Sequence, residues 1–204
     1  MQSQNFLNIT MTEELVAGVD EVGRGPLAGE VYAAAVILDD RRPIEGLMDS
    51  KKLNEKRRSE LSDEIKQNSL AWSISFSTVD EIDEINILNA TLLAMKRAIE
   101  ALQIQPYNVL VDGIHSPAVD HVDVNTVIKG DEKHGCISAA SIIAKVERDR
   151  RMLVLDKSYP EWGFAKHKGY GTKAHLAALR EHGISPLHRR SFEPIKTMVR
   201  RMTI

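Results

Sequence analysis

From Leu15 to Leu38 the chain reads LVAGVDEVGRGPLAGEVYAAAVIL. Its first six residues, LVAGVD, form a short, mostly apolar run closed by an acid, which predicts a buried strand ending in a carboxylate. A glycine-rich turn follows, and VYAAAVIL (31–38) predicts a second strand. Asn54 is placed to cap a helix from Glu55 to about Gln67, with Leu61 and Ile65 spaced for one buried face. In the next strand Trp72, Ile74 and Phe76 alternate with serines, the period-two pattern of a half-buried strand. Strands interleaved with helices define an α/β domain that begins with a meander of three strands.

Further along, Leu88, Leu92, Met95, Ile99 and Leu102 recur every three or four residues and predict the core stripe of one long helix. Val109–Asp112 (VLVD) is a short strand ending in acid, and Val122–Ile128 a further strand. Gly135 to about Lys157 reads as a long helix whose small residues, Ser138, Ala139, Ala140, Ser141 and Ala144, allow close packing. Thr172–His182 and Glu193–Met202 are expected to be the last two helices. Residues 1–13 are expected to be flexible.

The 204 residues are 43% apolar and 27% charged, which excludes disordered and collagen-like classes. A compact chain of this size buries roughly 70% of its extended surface and needs no staples. No apolar run approaches the ~20 residues of a membrane span. The opening MQSQNFLNITMT has neither the basic start nor the apolar stretch of a signal peptide. The lone Cys136 allows no internal disulfide and no multi-cysteine zinc site, as suits a cytoplasmic protein. The formal net charge of −2 hides an asymmetry. Residues 160–204 carry nine Lys/Arg against three Asp/Glu, whereas the remainder carries 18 against 26. The basic quarter is open to two readings, a solvated helix face or a phosphate-tracking surface beside a carboxylate-rich site.

Four acids are distinguished by position. Asp20 closes the first strand with Glu21 beside it, Asp112 closes the fourth, and Asp131 lies in KGDEK before the long helix. In open α/β sheets ligand chemistry gathers beyond the carboxyl ends of strands. Two carboxylates about 4 Å apart repel by about 4 kcal/mol at an effective dielectric of about 20, so converging acids call for a positive partner. Oxygen donors without nearby Cys or His select Mg²⁺ or Mn²⁺. Each acid also has a local explanation: Asp112-Gly113 is a turn dipeptide, Asp131 suits a helix N-terminus, and Asp20 alone could end a turn.

Gly23-Arg24-Gly25, directly after two acids, matches neither a P-loop nor a dinucleotide fingerprint. Yet GVDEVGRGPLAG, followed in order by DSKKL (49–53), EIDEINIL (81–88), VDG (111–113), VIKGD (127–131), ISAASIIAKVERD (137–149), HKGYGT (167–172) and HRRSFEP (188–194), resembles ribonuclease HII over residues 16–196. The resemblance implies one ribonuclease H-like catalytic domain: a five-stranded mixed sheet flanked by helices, with a basic helical C-terminal part over 160–204. It places the four active-site acids, which are also the metal ligands, on Asp20, Glu21, Asp112 and Asp131. The motif Gly23, Arg24, Gly25 falls where relatives contact the ribose 2′-hydroxyl and nearby phosphates. Tyr170 falls on the tyrosine that stacks against the DNA-side sugar. Lys51, Lys168, Arg189 and Arg190 become candidate phosphate contacts.

The implied activity is hydrolysis of the RNA strand of RNA–DNA hybrids, and incision 5′ of single ribonucleotides in duplex DNA. Two Mg²⁺ or Mn²⁺ ions would leave 3′-hydroxyl and 5′-phosphate ends. The partner is then the nucleic acid, the expected state a monomer, and no membrane is involved. Ser138 departs from the alanine of many relatives, Gly171 from their proline or alanine, and no glutamine-led clamp-binding peptide is visible near Ile204. A ribonuclease HIII-like nuclease is the enzyme rival, disfavoured by arginine at position 24; an inactive hybrid-binding module is the other, disfavoured by the presence of all four acids. Cys136 is expected to be a small apolar group, and His115, His121 and His134 form no recognisable zinc spacing. His134, three residues from Asp131, is a candidate for modulating product release.

Overall fold

The computed structural model describes residues 15–47 and 53–202; Lys51 and the N-terminal stretch 1–13 therefore lie outside the described residues. The elements are β1 (Val16–Val22), β2 (Val31–Ile37), α1 (Glu55–Asn68), β3 (Ala71–Ser77), α2 (Val79–Glu100), β4 (Asn108–Asp112) and β5 (Asp123–Val127). A short 3₁₀ turn (Gly130–Glu132) leads into α3 (Gly135–Ser158), followed by α4 (Phe164–His167), α5 (Lys173–His182) and α6 (Ile195–Met202). The five strands form one mixed sheet in the order β3-β2-β1-β4-β5. β1–β2 and β2–β3 are antiparallel, while β1–β4 and β4–β5 are parallel. This is the sheet and flanking-helix arrangement expected from the sequence.

β2 is buried along its whole length because both faces of the sheet are covered. One face packs Ala17, Val19, Ala33, Ala35, Val109 and Val111 against Met95, Ala98 and Ile99 of α2. The other packs Ala34 and Val36 against Leu61 and Ile65 of α1 and Ala139, Ala140 and Ile143 of α3. α3 comes so close to β1 that a Cβ on Gly18 would lie 2.1 Å from the Cys136 carbonyl carbon. Its small residues serve that approach, as the sequence predicts, and the departure Ser138 donates its hydroxyl to the Leu47 carbonyl.

One expectation is corrected, the side of β3 that the alternation implies is buried. On β3 the buried positions are Ala71, Ser73 and Ser77 and Ile74 is half-buried against the α3-side core, while Trp72 and Phe76 are 39% and 44% exposed. α2 crosses β3 too closely for large side chains, and the serine hydroxyls donate to helix carbonyls, Ser73 to Ala98 and Ser77 to Ala90. Trp72 instead donates its indole N–H to the Lys66 carbonyl at 3.0 Å, and Phe76 stacks on Tyr32. The helix read from Leu88 onward is continuous to Glu100, and α2 carries a further segment before it, joined at Asn86, whose φ is 68°. Thr78 and Glu81 form a capping box for the first segment, and Asn86 Oδ1 accepts from Leu88 and Asn89 N–H to start the second.

Candidate active site

β1 and β4 run parallel and adjacent, so their carboxyl ends coincide, and Asp20, Glu21 and Asp112 emerge at one edge of the sheet. Strand alternation sends the first two to opposite faces. Asp20, opposite Ala34, points to the α3 side, is nearly buried, and is hydrogen-bonded by the Ser141 side chain and by Glu21 N–H at 2.7 Å. Burial pushes its carboxyl well above the usual range, and the neighbouring Glu21 and Asp112 carboxylates push the same way. Glu21, opposite Ala33, faces the α2 side and pairs with Arg24 at 3.2 Å. There a cleft of about 190 Å³ is lined by Glu21, Arg24, Leu88, Leu92, Asp112 and His115. Asp112 Oδ1 accepts from Gly130 N–H at 2.6 Å, which draws the 3₁₀ turn carrying buried Asp131 to the same edge.

All four acids therefore collect around the strand ends. Among the described residues, however, no three His, Cys, Asp or Glu side chains stand close enough together to grip a metal ion between them. Asp20 and Glu21 diverge, Glu21 is turned to Arg24, and one Asp112 oxygen is engaged by the turn.

The second wall is the loop 23–30, held from behind by two buried guanidiniums. Arg148 donates to the carbonyls of Glu30, Lys168 and Ala28. Arg189 donates to Gly29 (2.9 Å), Arg24 (2.9 Å) and Gly23 (2.6 Å). Burial, with the nearby Arg148 charge, pushes Arg189 down to about 9, so it remains a cation at neutral pH. Gly23 has φ 96°, and a Cβ there would strike Arg148 Nε at 2.2 Å. Gly25 differs: a Cβ would meet only Tyr170 Cε1, at an ordinary 3.7 Å. The tyrosine ring, 41% exposed, thus stands beside Gly25 although the two are remote in sequence.

The phosphate-contact expectation for Arg189 is corrected. It is fully buried, and its fork is aimed at three main-chain carbonyls, which keeps it from solvent and from any ligand. Arg190 is exposed, and its backbone N–H is held by Asp83 at 2.8 Å. Lys168 is half-buried with Nζ 2.5 Å from the Ala165 carbonyl, and Arg24 is exposed beside Glu21. Cys136 is partly buried and its thiol is pushed up by that burial. The sequence reading missed Arg148, the Glu30–Arg151 pair (3.0 Å) and the buried His175 and His188, and His167, which it places between lysines as a charge-region residue open to phosphate, is buried with them. Arg148 and His188 lie inside quoted motifs, but a charged or polar letter carries no sign of its burial.

Residues 17–195 match the family model described as Ribonuclease HII. A Ribonuclease HII of Marinomonas sp. (strain MWYL1) is 56% identical over 186 residues, covering 91% of this chain and 94% of the relative. That of Vibrio campbellii (strain ATCC BAA-1116) is 58% identical over 183 residues, covering 90% and 86%. Among solved structures, the ribonuclease H2 from Pyrococcus horikoshii OT3 superposes with a TM-score of 0.75 at 29% identity, covering 92% of this chain and 98% of that one.

Proposed function

Because the chain belongs to the ribonuclease HII family, a family of RNA–DNA hybrid endoribonucleases, we propose that it also incises duplex DNA on the 5′ side of a single embedded ribonucleotide. The observation that carries this reading is the meeting of Gly25 and Tyr170 beside the strand-end acids. Gly25 presents bare backbone that nothing in the chain's own packing requires, open to a 2′-hydroxyl. The Tyr170 ring offers a flat face that suits a sugar lacking one. A reader of one ribose–deoxyribose step needs both, and it needs no base edges, so sequence preference is weak.

Asp20, Glu21, Asp112 and Asp131 would hold the catalytic cations. The donor set suits Mg²⁺ or Mn²⁺: it is all oxygen, and Asp20 is a carboxyl whose charge is disfavoured by burial and by two neighbouring acids until a cation offsets it. Bound there, such ions supply an activated water and positive charge for the leaving oxygen, giving 3′-hydroxyl and 5′-phosphate ends. None of the carboxylates then needs to act as nucleophile. Arg24 holds Glu21 and is exposed enough to reach a phosphate; Lys168 and Arg190 extend the basic surface that gives salt-sensitive, sequence-independent affinity.

The test is cleavage of a duplex carrying one ribonucleotide, with Mg²⁺ or Mn²⁺ present and both product ends mapped. One nick 5′ of the ribonucleotide is expected. Degradation of long hybrids with the lone ribonucleotide left intact would refute this reading while leaving the family assignment standing.

A further inference from the structure

We propose that the dipeptide His188-Arg189 is a positioning unit that locks both jaws of the site, with Arg189 gripping the Gly23-Arg24 main chain and His188, through His175, gripping the main chain of Tyr170. The inference rests on the reading of Tyr170 as the ring that packs against the deoxyribose.

The dipeptide is itself fastened to the loop it controls. Ala28 and His188 form an isolated antiparallel bridge, Arg189 N–H donates to the Leu27 carbonyl at 2.9 Å, and Gly29 N–H donates to the Leu187 carbonyl at 2.9 Å. From this anchor the Arg189 fork reaches forward to the Gly23 and Arg24 carbonyls. With those carbonyls turned inward, the loop's conformation beside the acids is fixed from within.

The histidine arm has one consistent set of proton positions. A backbone N–H only donates, so His188 Nδ1, which takes Ser185 N–H at 2.9 Å, is the acceptor of its ring. Its proton is then on Nε2 and points at His175 Nε2, 3.0 Å away. That nitrogen accepts, so the His175 proton is on Nδ1 and is donated to the Tyr170 carbonyl at 3.0 Å. Both rings are buried and neutral in this arrangement, and every ring nitrogen has a partner. The Tyr170 main chain is held at its other end as well: its N–H donates to the His167 carbonyl at 2.9 Å. His167 stacks on His175 with ring centroids 4.3 Å apart. Tyr170 is thus held by its backbone, while its ring stays exposed beside Gly25.

Two isosteric variants separate positioning from packing. In His175→Asn the amide nitrogen takes the place of Nδ1 and keeps the bond to the Tyr170 carbonyl. In His175→Gln the amide oxygen takes the place of Nε2, accepts from His188 Nε2–H and loses the bond to Tyr170. Single-turnover cleavage and duplex affinity are measured on the single-ribonucleotide duplex, with Tyr170→Ala as reference and melting curves for all. Expected is a loss of tenfold or more in cleavage rate for H175Q, with affinity within about twofold of the parent, and retention of most of the rate by H175N. Equal rates for H175N and H175Q, with Y170A impaired, would overturn this inference alone. An unimpaired Y170A would overturn the reading of Tyr170 itself. Should either variant fail to fold, imidazole ¹⁵N spectra of the parent protein decide. His175 protonated on Nδ1 and His188 on Nε2 support the arm; the opposite tautomer in either ring, or a charged ring at neutral pH, refutes it.

Discussion

The strand-end acids and the buried basic network behind the 23–30 loop lie a few residues apart in the fold and are built on opposite rules. Around Asp20 like charges are gathered, and a carboxyl is held in surroundings that disfavour its charge. Around Arg148 and Arg189, two equally buried cations have their forks occupied by carbonyls, and the neighbouring histidines have every ring nitrogen paired. The first region leaves a buried carboxyl disfavoured by its neighbours, whereas the second meets its charges with the chain's own carbonyls. A cluster of mutually disfavoured acids is a candidate for function, and a saturated polar network holds shape.

The sharpest way to break that contrast is Asp20→Asn or Asp112→Asn. Each is expected to lower the cleavage rate by about a thousandfold or more, about 4 kcal/mol of barrier, because an amide is a poor ligand for a hard cation. Asp20→Asn is also expected to melt no lower than the parent without metal, since it removes an unfavourable charge. A folded variant keeping a tenth of the activity would remove these acids from the site.

Arg189→Met tests the other region and is expected to show the reverse pattern. Leaving three buried carbonyls without a donor costs about 1–3 kcal/mol each before relaxation, so a stability loss on the order of 3–5 kcal/mol is expected by denaturant titration. A loss below about 1 kcal/mol would mean that the loop does not depend on the fork.

Next in size is the effect of metal. At about 100 times its dissociation constant, an ion that binds only the folded state adds about 2.7 kcal/mol, and relief of Asp20 is its physical source. A rise in melting temperature with Mg²⁺ or Mn²⁺, absent in Asp20→Asn, is expected. The same rise in the variant would place the bound ion elsewhere.

The response to acid is a balance of opposed contributions. Burial pushes His175 and His188 down from 6.5 to about 4, so the unfolded chain binds more protons than the folded one between those values. Their contribution is present in full above pH 6.5 and is lost as the pH falls toward 4. Asp20 has the opposite sign, since its raised carboxyl favours the fold in acid and loses that contribution as the pH rises. Melting curves from pH 7 to 4.5 are expected to fall, and to fall less steeply in His175→Asn. An equal slope in the variant would show that His175 is not one of the groups taking up protons.

The sequence alone determined the order of the strands and long helices, the α/β class, the placement of Asp20, Glu21 and Asp112 at strand ends with Asp131 before the long helix and, through its ordered motifs, the family. Those features are local: apolar runs, caps and strand-terminal carboxylates are written in neighbouring letters. Only the tertiary structure decided which face of β3 is buried, because the closeness of α2, rather than the alternation of Trp72, Ile74 and Phe76, sets the size of side chain that fits. It alone showed that Gly23 is demanded by Arg148 while Gly25 is left open, and that Arg189 is fully buried whereas Arg190 is exposed. The β3 outcome depends on a helix 13 to 25 residues away, and the others on groups more than a hundred residues apart meeting in space. Burial and partner choice are properties of that meeting, so adjacent arginines with the same letter acquire different roles.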